Sequence, residues 1–148
     1  MPPAFRCRNY RAGDYPAIRA LWEATDLSGP QRGDSAASIE RTLAQGGRFL
    51  VLEEDPGRAV AGTAWLTMDG RRSYLHHFGI RPDLQGRGLG RALLVEVLAA
   101  ARALGLQLKL EVDPDNDRAR NLYLGGGFRS AGTFDILMIR DLDAASAP

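Results

Sequence analysis

The stretch Gln85-Gly86-Arg87-Gly88-Leu89-Gly90-Arg91 holds three glycines and two arginines in seven residues. It follows a strand-like run and opens the longest helical pattern in the chain. The first amides of a helix have no partner within it, and its dipole offers partial positive charge there. Glycines let the chain turn so that those amides converge on an anion. Arg87 and Arg91 add full charges. The chemistry this implies is the cradling of a polyphosphate. A P-loop would need Gly-Lys-Ser/Thr at its end, which is absent. A dinucleotide fingerprint fits partly: Gly88 and Gly90 give G-x-G and Glu111 lies about 20 residues on, but Leu93 occupies the third glycine position. A tight strand–helix connection with no ligand is the remaining alternative.

Further along, Leu106, Leu108, Leu110 and Val112 alternate with Gln107, Lys109 and Glu111, so alternation turns Glu111 toward water. His76 shares a strand face with Tyr74 and Phe78, and alternation puts His77 on the other face. An imidazole titrates near neutrality unaided. Asp113, Asp115 and Asp117 alternate as calcium ligands do, but the loop lacks the glycine and terminal glutamate of an EF-hand. It reads as a solvated turn, and no metal site is expected.

The elements that must position these groups follow from pattern. A first strand spans 5–10. Asp14 caps a helix with Pro16 in its first turn and an apolar stripe of Ile18, Leu21 and Trp22. A loop runs from Asp26 to Asp34, containing Ser28, Gly29, Pro30 and Gly33. A second helix covers 35–45. Three strands follow at 48–53, 59–68 and 73–80, with turns at 55–58 and at Asp69-Gly70. A helix over 90–104 buries Leu93, Leu94, Val97, Leu98 and Ala101 and stops at Gly105. After the strand at 106–112, Asp117 caps a short helix to Leu124. Two short strands near 128–132 and 134–141 close the chain. Trp22 and Trp65 read as core. This order predicts a mixed α/β (α+β) fold: a mostly antiparallel sheet of about seven strands, with helices on both faces.

Composition narrows the functions. The 148 residues are 45% hydrophobic and 25% charged, ordinary for a globular domain. One domain over 1–143 with a frayed tail at 144–148 is expected. A net charge of +1 gives no global footprint for nucleic acid or an anionic membrane, so neither is an expected partner. Of the 19 basic residues only Lys109 is a lysine. The single cysteine, Cys7, excludes a disulfide framework and reads as a strand residue, although the flanking Arg6 and Arg8 would favour a thiolate. Residues 1–25 lack the apolar core of a signal peptide, and no apolar run approaches a membrane span. A cytoplasmic location is the expectation.

Gln85, Gly88 and Gly90 match the [Gln/Arg]-x-x-Gly-x-[Gly/Ala] signature of the Gcn5-related N-acetyltransferases, the GNAT superfamily. Asn116, Ala119, Leu122 and Tyr123, followed by Gly127-Phe128, resemble its downstream Asn-x-x-Ala-x-x-Leu-Tyr and Gly-Phe pattern. The order of elements is similar across nearly the whole chain, and Leu21-Trp22 with Asp26-Leu27 resembles a group of small bacterial members. Gly125-Gly126-Gly127 departs from the family, and helical glycines there would loosen the hold on Tyr123.

The resemblance implies acetyl-CoA as acyl donor and an acetyl transfer to a primary amine by direct attack through a tetrahedral intermediate. It implies a splay between strands four and five that accepts the pantetheine arm. Backbone groups of Phe78, Gly79 and Ile80 would pair with that arm. The amides of Gly86, Arg87, Gly88, Leu89, Gly90 and Arg91 would bind the pyrophosphate beside Gln85. Asn116 would bond the pantetheine. Tyr123 would protonate the departing thiolate, and the Ile80 amide would serve the oxyanion. Glu111 and His76 are the alternative bases, with water as the third. The acceptor, a small-molecule or protein amine, stays open, as does oligomeric state, a homodimer included. In the acceptor loop, Asp26 and Asp34 would suit a cationic amine and Arg32 a carboxylate. A non-catalytic acyl-CoA sensor on the same fold and a dinucleotide-binding module are the rival functions.

Overall fold

The computed structural model describes residues 2–28 and 32–146. Strand β1 (Ala4–Asn9) leads through a short 3-10 turn to helix α1 (Tyr15–Ala24). Helix α2 (Ala36–Ala44) precedes a meander of β2 (Arg48–Asp55), β3 (Val60–Met68) and β4 (Arg72–Ile80). Helix α3 (Leu89–Leu104), strand β5 (Gln107–Leu110) and helix α4 (Asp117–Gly125) follow. The sheet runs β1-β2-β3-β4-β5, antiparallel except for the parallel β4–β5 pair. Parallel strands need a crossover, and α3 supplies it.

Alternation along β2 and β3 divides the interior in two. Leu50, Leu52, Ala64 and Leu66 face α3, where Leu93, Leu94 and Val97 pack on them. Phe49, Val51 and Trp65 face α1 and α2, where Ile18, Leu21, Trp22 and Ile39 close a second core. Trp22 and Trp65 are core residues, 1% and 5% exposed. Their indole N–H groups are satisfied by the hydroxyls of Thr63 and Thr42. Glu53, buried beside β1, is paired with Arg6 and Arg8.

Several expectations change. Asp14 stands at the N-cap of α1 as expected, but without a side-chain cap bond, and the cap of α4 is not the predicted aspartate. The Asp14 carboxylate reaches back to the Arg11 amide and to Arg8 rather than capping α1, and Asn116, not Asp117, caps α4 by accepting from the Ala119 amide. Strand β5 ends at Leu110, so Val112 lies outside it. No strand forms over 128–132 or 134–141, and among the described residues the sheet has five strands rather than seven. Alternation reports which side chains a strand would bury, but a strand exists only where its amides find a ladder. Phe134, Ile136, Leu137, Met138 and Ile139 are exposed instead. Cys7 faces the α3 core, opposite Arg6 and Arg8, and burial pushes its thiol up to about 11. Part of the predicted Asp26–Asp34 loop, residues 29–31, and the last two residues of the predicted tail lie outside the described residues.

Candidate active site

Pairing between β4 and β5 covers only Arg72–Leu75 against Gln107–Leu110. Beyond Leu75, β4 continues to Ile80 with no neighbour on that side, and the two strands part. The Arg81 amide donates to the Ala61 carbonyl across β3. In an antiparallel ladder successive residues point their backbone groups to opposite sides. Ile80 therefore turns its amide away from β3, into the gap. Its carbonyl is held by the Gln85 side-chain amide at 3.0 Å.

The gap opens into a cleft of about 470 Å³. One end is floored by Gly86, Gly88, Leu89, Gly90 and Arg91, the other is walled by Phe78, Gly79, Ile80 and Tyr123. Gly88 precedes α3 at φ 80°, a left-handed conformation that favours glycine. Having no side chain, it caps none of the first α3 amides, and a Cβ built there meets nothing within 4 Å. The helix thus begins on uncapped donors at the mouth of an open cleft, as an anion site requires.

Tyr123 reaches the cleft from α4. It is 9% exposed and braced edge to face by Phe78 and by Phe128, with ring centroids 5.8 and 5.6 Å away. Burial pushes its phenol up to about 12, so it holds its proton through the neutral range. Of the glycines after it, Gly126 packs closely, since a Cβ there would come within 2.7 Å of Leu94 Cδ2 on α3.

The structure brings most of the predicted residues together: Phe78, Gly79, Ile80, Gln85, the glycine loop, Arg91, Asn116 and Tyr123 line one cleft. Arg87 is exposed outside its lining. Asn116 lines it while its Oδ1 is occupied by the α4 cap at 3.1 Å. Glu111 and His76 do not line it. Sequence reasoning missed Arg118, which lines the cleft and donates to Gln85 Oε1 at 3.2 Å. Its only signal was a basic residue in the first turn of the helix that carries Tyr123. Thr25 and Leu27, from the segment after α1, were also missed as wall residues.

The histidines correct the face assignment. Register steps from Thr63↔Gly79 to Trp65↔His76, so β4 has one extra residue, His77, at φ 47°. A bulge of this kind lets two successive side chains share a face. His76 and His77 both face the α1/α2 side, and Phe78 faces α3. His76 is exposed and bonded through Nε2 to the Thr67 hydroxyl at 2.8 Å. His77 Nε2 lies 2.7 Å from Asp34 Oδ2, so Asp34 is already engaged rather than waiting for a cationic substrate. Partial desolvation, with His77 adding to it at His76 and Arg32 at His77, holds both imidazoles below their ordinary value despite Asp34 and Glu111.

With this geometry in view, comparison with known proteins decides the family. Residues 15–128 match the Acetyltransferase (GNAT) family. The chain belongs to the GNAT family of acetyltransferases. An acetyltransferase of Pectobacterium atrosepticum is 32% identical over 117 residues, 78% of this chain and 82% of that protein. Among solved structures, the fold is similar to the Escherichia coli ribosomal-protein-S18-alanine N-acetyltransferase (TM-score 0.73, 23% identity, 87% of this chain and 80% of that one). It is equally similar to the glucosamine-6-phosphate N-acetyltransferase of Arabidopsis thaliana (TM-score 0.73, 15% identity, 93% and 99%). Among the described residues, no helix of this GNAT protein is long and apolar enough to cross a membrane, and no cluster suited to a metal ion occurs.

Proposed function

We propose that this GNAT protein transfers the acetyl group of acetyl-CoA to a primary amine, with the donor lying in the β4–β5 cleft. The observation that carries the reading is the gap beyond Leu75, which joins unpaired backbone of β4 to uncapped amides of α3 in one cleft. The residues present fit the donor. Gly86, Gly88 and Gly90 leave room for a diphosphate against the loop, with Arg91 and Arg118 beside it. The free edge of β4 suits the amide-bearing arm, as an added strand would.

The acetyl-CoA thioester supplies an activated acyl group. This chain supplies the rest. The Ile80 amide donates to the carbonyl oxygen as negative charge develops there. The Tyr123 hydroxyl, kept protonated by burial, gives its proton to the departing sulfur. The amine must shed a proton first, which for a lysine-like amine costs about 4.6 kcal/mol at neutral pH. His76, held neutral on the acceptor-side face, takes that proton through water, and the Glu111 charge stabilises the imidazolium. The single domain, the cytoplasmic location and the acetyl rather than larger acyl group are parts of the same proposal.

The test is release of free thiol from acetyl-CoA with a panel of spermidine, glucosamine 6-phosphate, an alanine-initiated peptide and a lysine peptide. Turnover with at least one amine is expected. Saturable acetyl-CoA binding with no thiol release from any amine would instead favour a sensor.

A further inference from the structure

We propose that Asp34 and His77 form a latch that fixes the acceptor-side wall of the active site, making both positioning residues for the amine. This rests on the acetyl-transfer reading above. The cleft passes through the sheet where β4 leaves β5. Its α3/α4 side carries the glycine loop and Tyr123, so the amine must approach from the α1/α2 side. On that side the described residues between α1 and α2, 25–28 and 32–35, approach β4 at two places. In the first stretch, Leu27 Cδ1 lies 2.8 Å from where a Gly79 Cβ would stand. In the second, Asp34 meets His77 at 2.7 Å, one residue before Ser35 caps α2 by accepting from the Ser38 amide.

The two partners differ in how they are held. The His77 ring is wedged against Trp22, centroids 4.2 Å apart, and against Trp65 at 5.5 Å. Its carbonyl, displaced from the ladder by the bulge, accepts from the Thr63 hydroxyl at 2.8 Å, and that hydroxyl accepts from Trp22 Nε1. The histidine is thus a fixed post. Asp34 is held more lightly: its carbonyl accepts a long bond from the Tyr15 hydroxyl at 3.5 Å, and the carboxylate's bond to Nε2 ties its end of the segment to the strand. With side chains 10% and 14% exposed, water competes poorly for this bond. His77 lines no part of the cleft, so it acts through the wall and not on the reacting atoms.

The experiment compares wild type with Asp34→Ala, Asp34→Asn, His77→Ala and His77→Gln. The amine is the member of the panel above that wild type turns over fastest. Asn at 34 keeps an oxygen acceptor, and Gln at 77 keeps an N–H donor near the Nε2 position. The latch predicts that both alanine variants raise the amine KM about tenfold or more, with acetyl-CoA affinity by calorimetry within about twofold. The Asn and Gln variants recover most of the loss. Amide exchange at residues 32–36 should rise in both alanine variants, with β1 and β2 unchanged. If Asp34→Ala and His77→Ala keep the wild-type amine KM, or if Asn and Gln behave as alanine does, the latch is wrong. Wild type failing to bind acetyl-CoA would overturn the acetyl-transfer reading instead. Should both alanine variants fold too poorly to assay, the Asn and Gln pair decides: a double variant must then lose more amine affinity than either single change.

Discussion

Phe78 on β4 and Tyr123 on α4 meet edge to face, ring centroids 5.8 Å apart and planes at 70°. The contact joins the strand that loses its partner to the helix that carries the proposed acid. It holds the Tyr123 ring without using its hydroxyl. Ring and hydroxyl can therefore be tested separately.

Tyr123→Phe keeps the ring and removes the proton donor. Because aromatic packing is retained, Tm should stay close to wild type. The kcat for thiol release should fall about 10²-fold, with the acetyl-CoA dissociation constant little changed. Early melting with normal turnover in the folded fraction would make Tyr123 a packing residue only.

Gly88→Glu should leave a folded protein that binds acetyl-CoA at least about tenfold more weakly. A Cβ at Gly88 meets no atom within 4 Å, so the strain is conformational, at about 1 kcal/mol for a left-handed residue. The carboxylate would point its charge at the site proposed for phosphate. Unchanged affinity in calorimetry would remove the loop from the donor site.

The glycine loop stood out from local chemistry, turn glycines before a helix, whereas Tyr123 was named only by the family resemblance; the structure places both on one cleft. Helices on both faces of the sheet, and so a core on each side, followed from the order of elements. The histidine faces did not. Strict alternation puts His77 opposite His76, and only pairing with β3 reveals the bulge that brings them together. The last two strands were misread for a related reason, since apolar residues such as Ile136 and Met138 carry no information about a ladder partner. The tight packing at Gly62 was also invisible, because only pairing with β4 sets it against Ile80 and Gly79.

Gly62→Ala tests that packing. A Cβ there would lie 2.7 Å from Ile80 Cδ1 and 2.9 Å from the Gly79 carbonyl oxygen. Crowding against backbone should cost about 1–3 kcal/mol in denaturant unfolding. It should also weaken turnover, because Ile80 and Gly79 wall the cleft. Wild-type stability would show that the strands have slack here.

His77 gives the fold a pH dependence. Burial holds its imidazole below the ordinary value, with Arg32 adding to this and Asp34 opposing it. The native state then binds fewer protons than the unfolded chain, so stability rises with pH across that interval. Tm should fall as pH drops from about 7 toward about 5. His77→Gln should flatten this part of the profile. An equal slope in both proteins would assign it elsewhere.

Cys7 should be slow to alkylate. With its thiol raised to about 11, little thiolate exists near pH 8 in the native state. Iodoacetamide should label it slowly in buffer and readily in concentrated urea. Equal rates would mean that β1 does not shield it.

The donor site is the central claim, and calorimetric titration of the wild-type chain with acetyl-CoA and, separately, with NAD tests it most directly. Acetyl-CoA should bind saturably at one site and, at 100 times its dissociation constant, stabilise the fold by about 2.7 kcal/mol in a parallel melt. NAD should give no saturable heat. Binding of NAD in preference to acetyl-CoA would contradict the account.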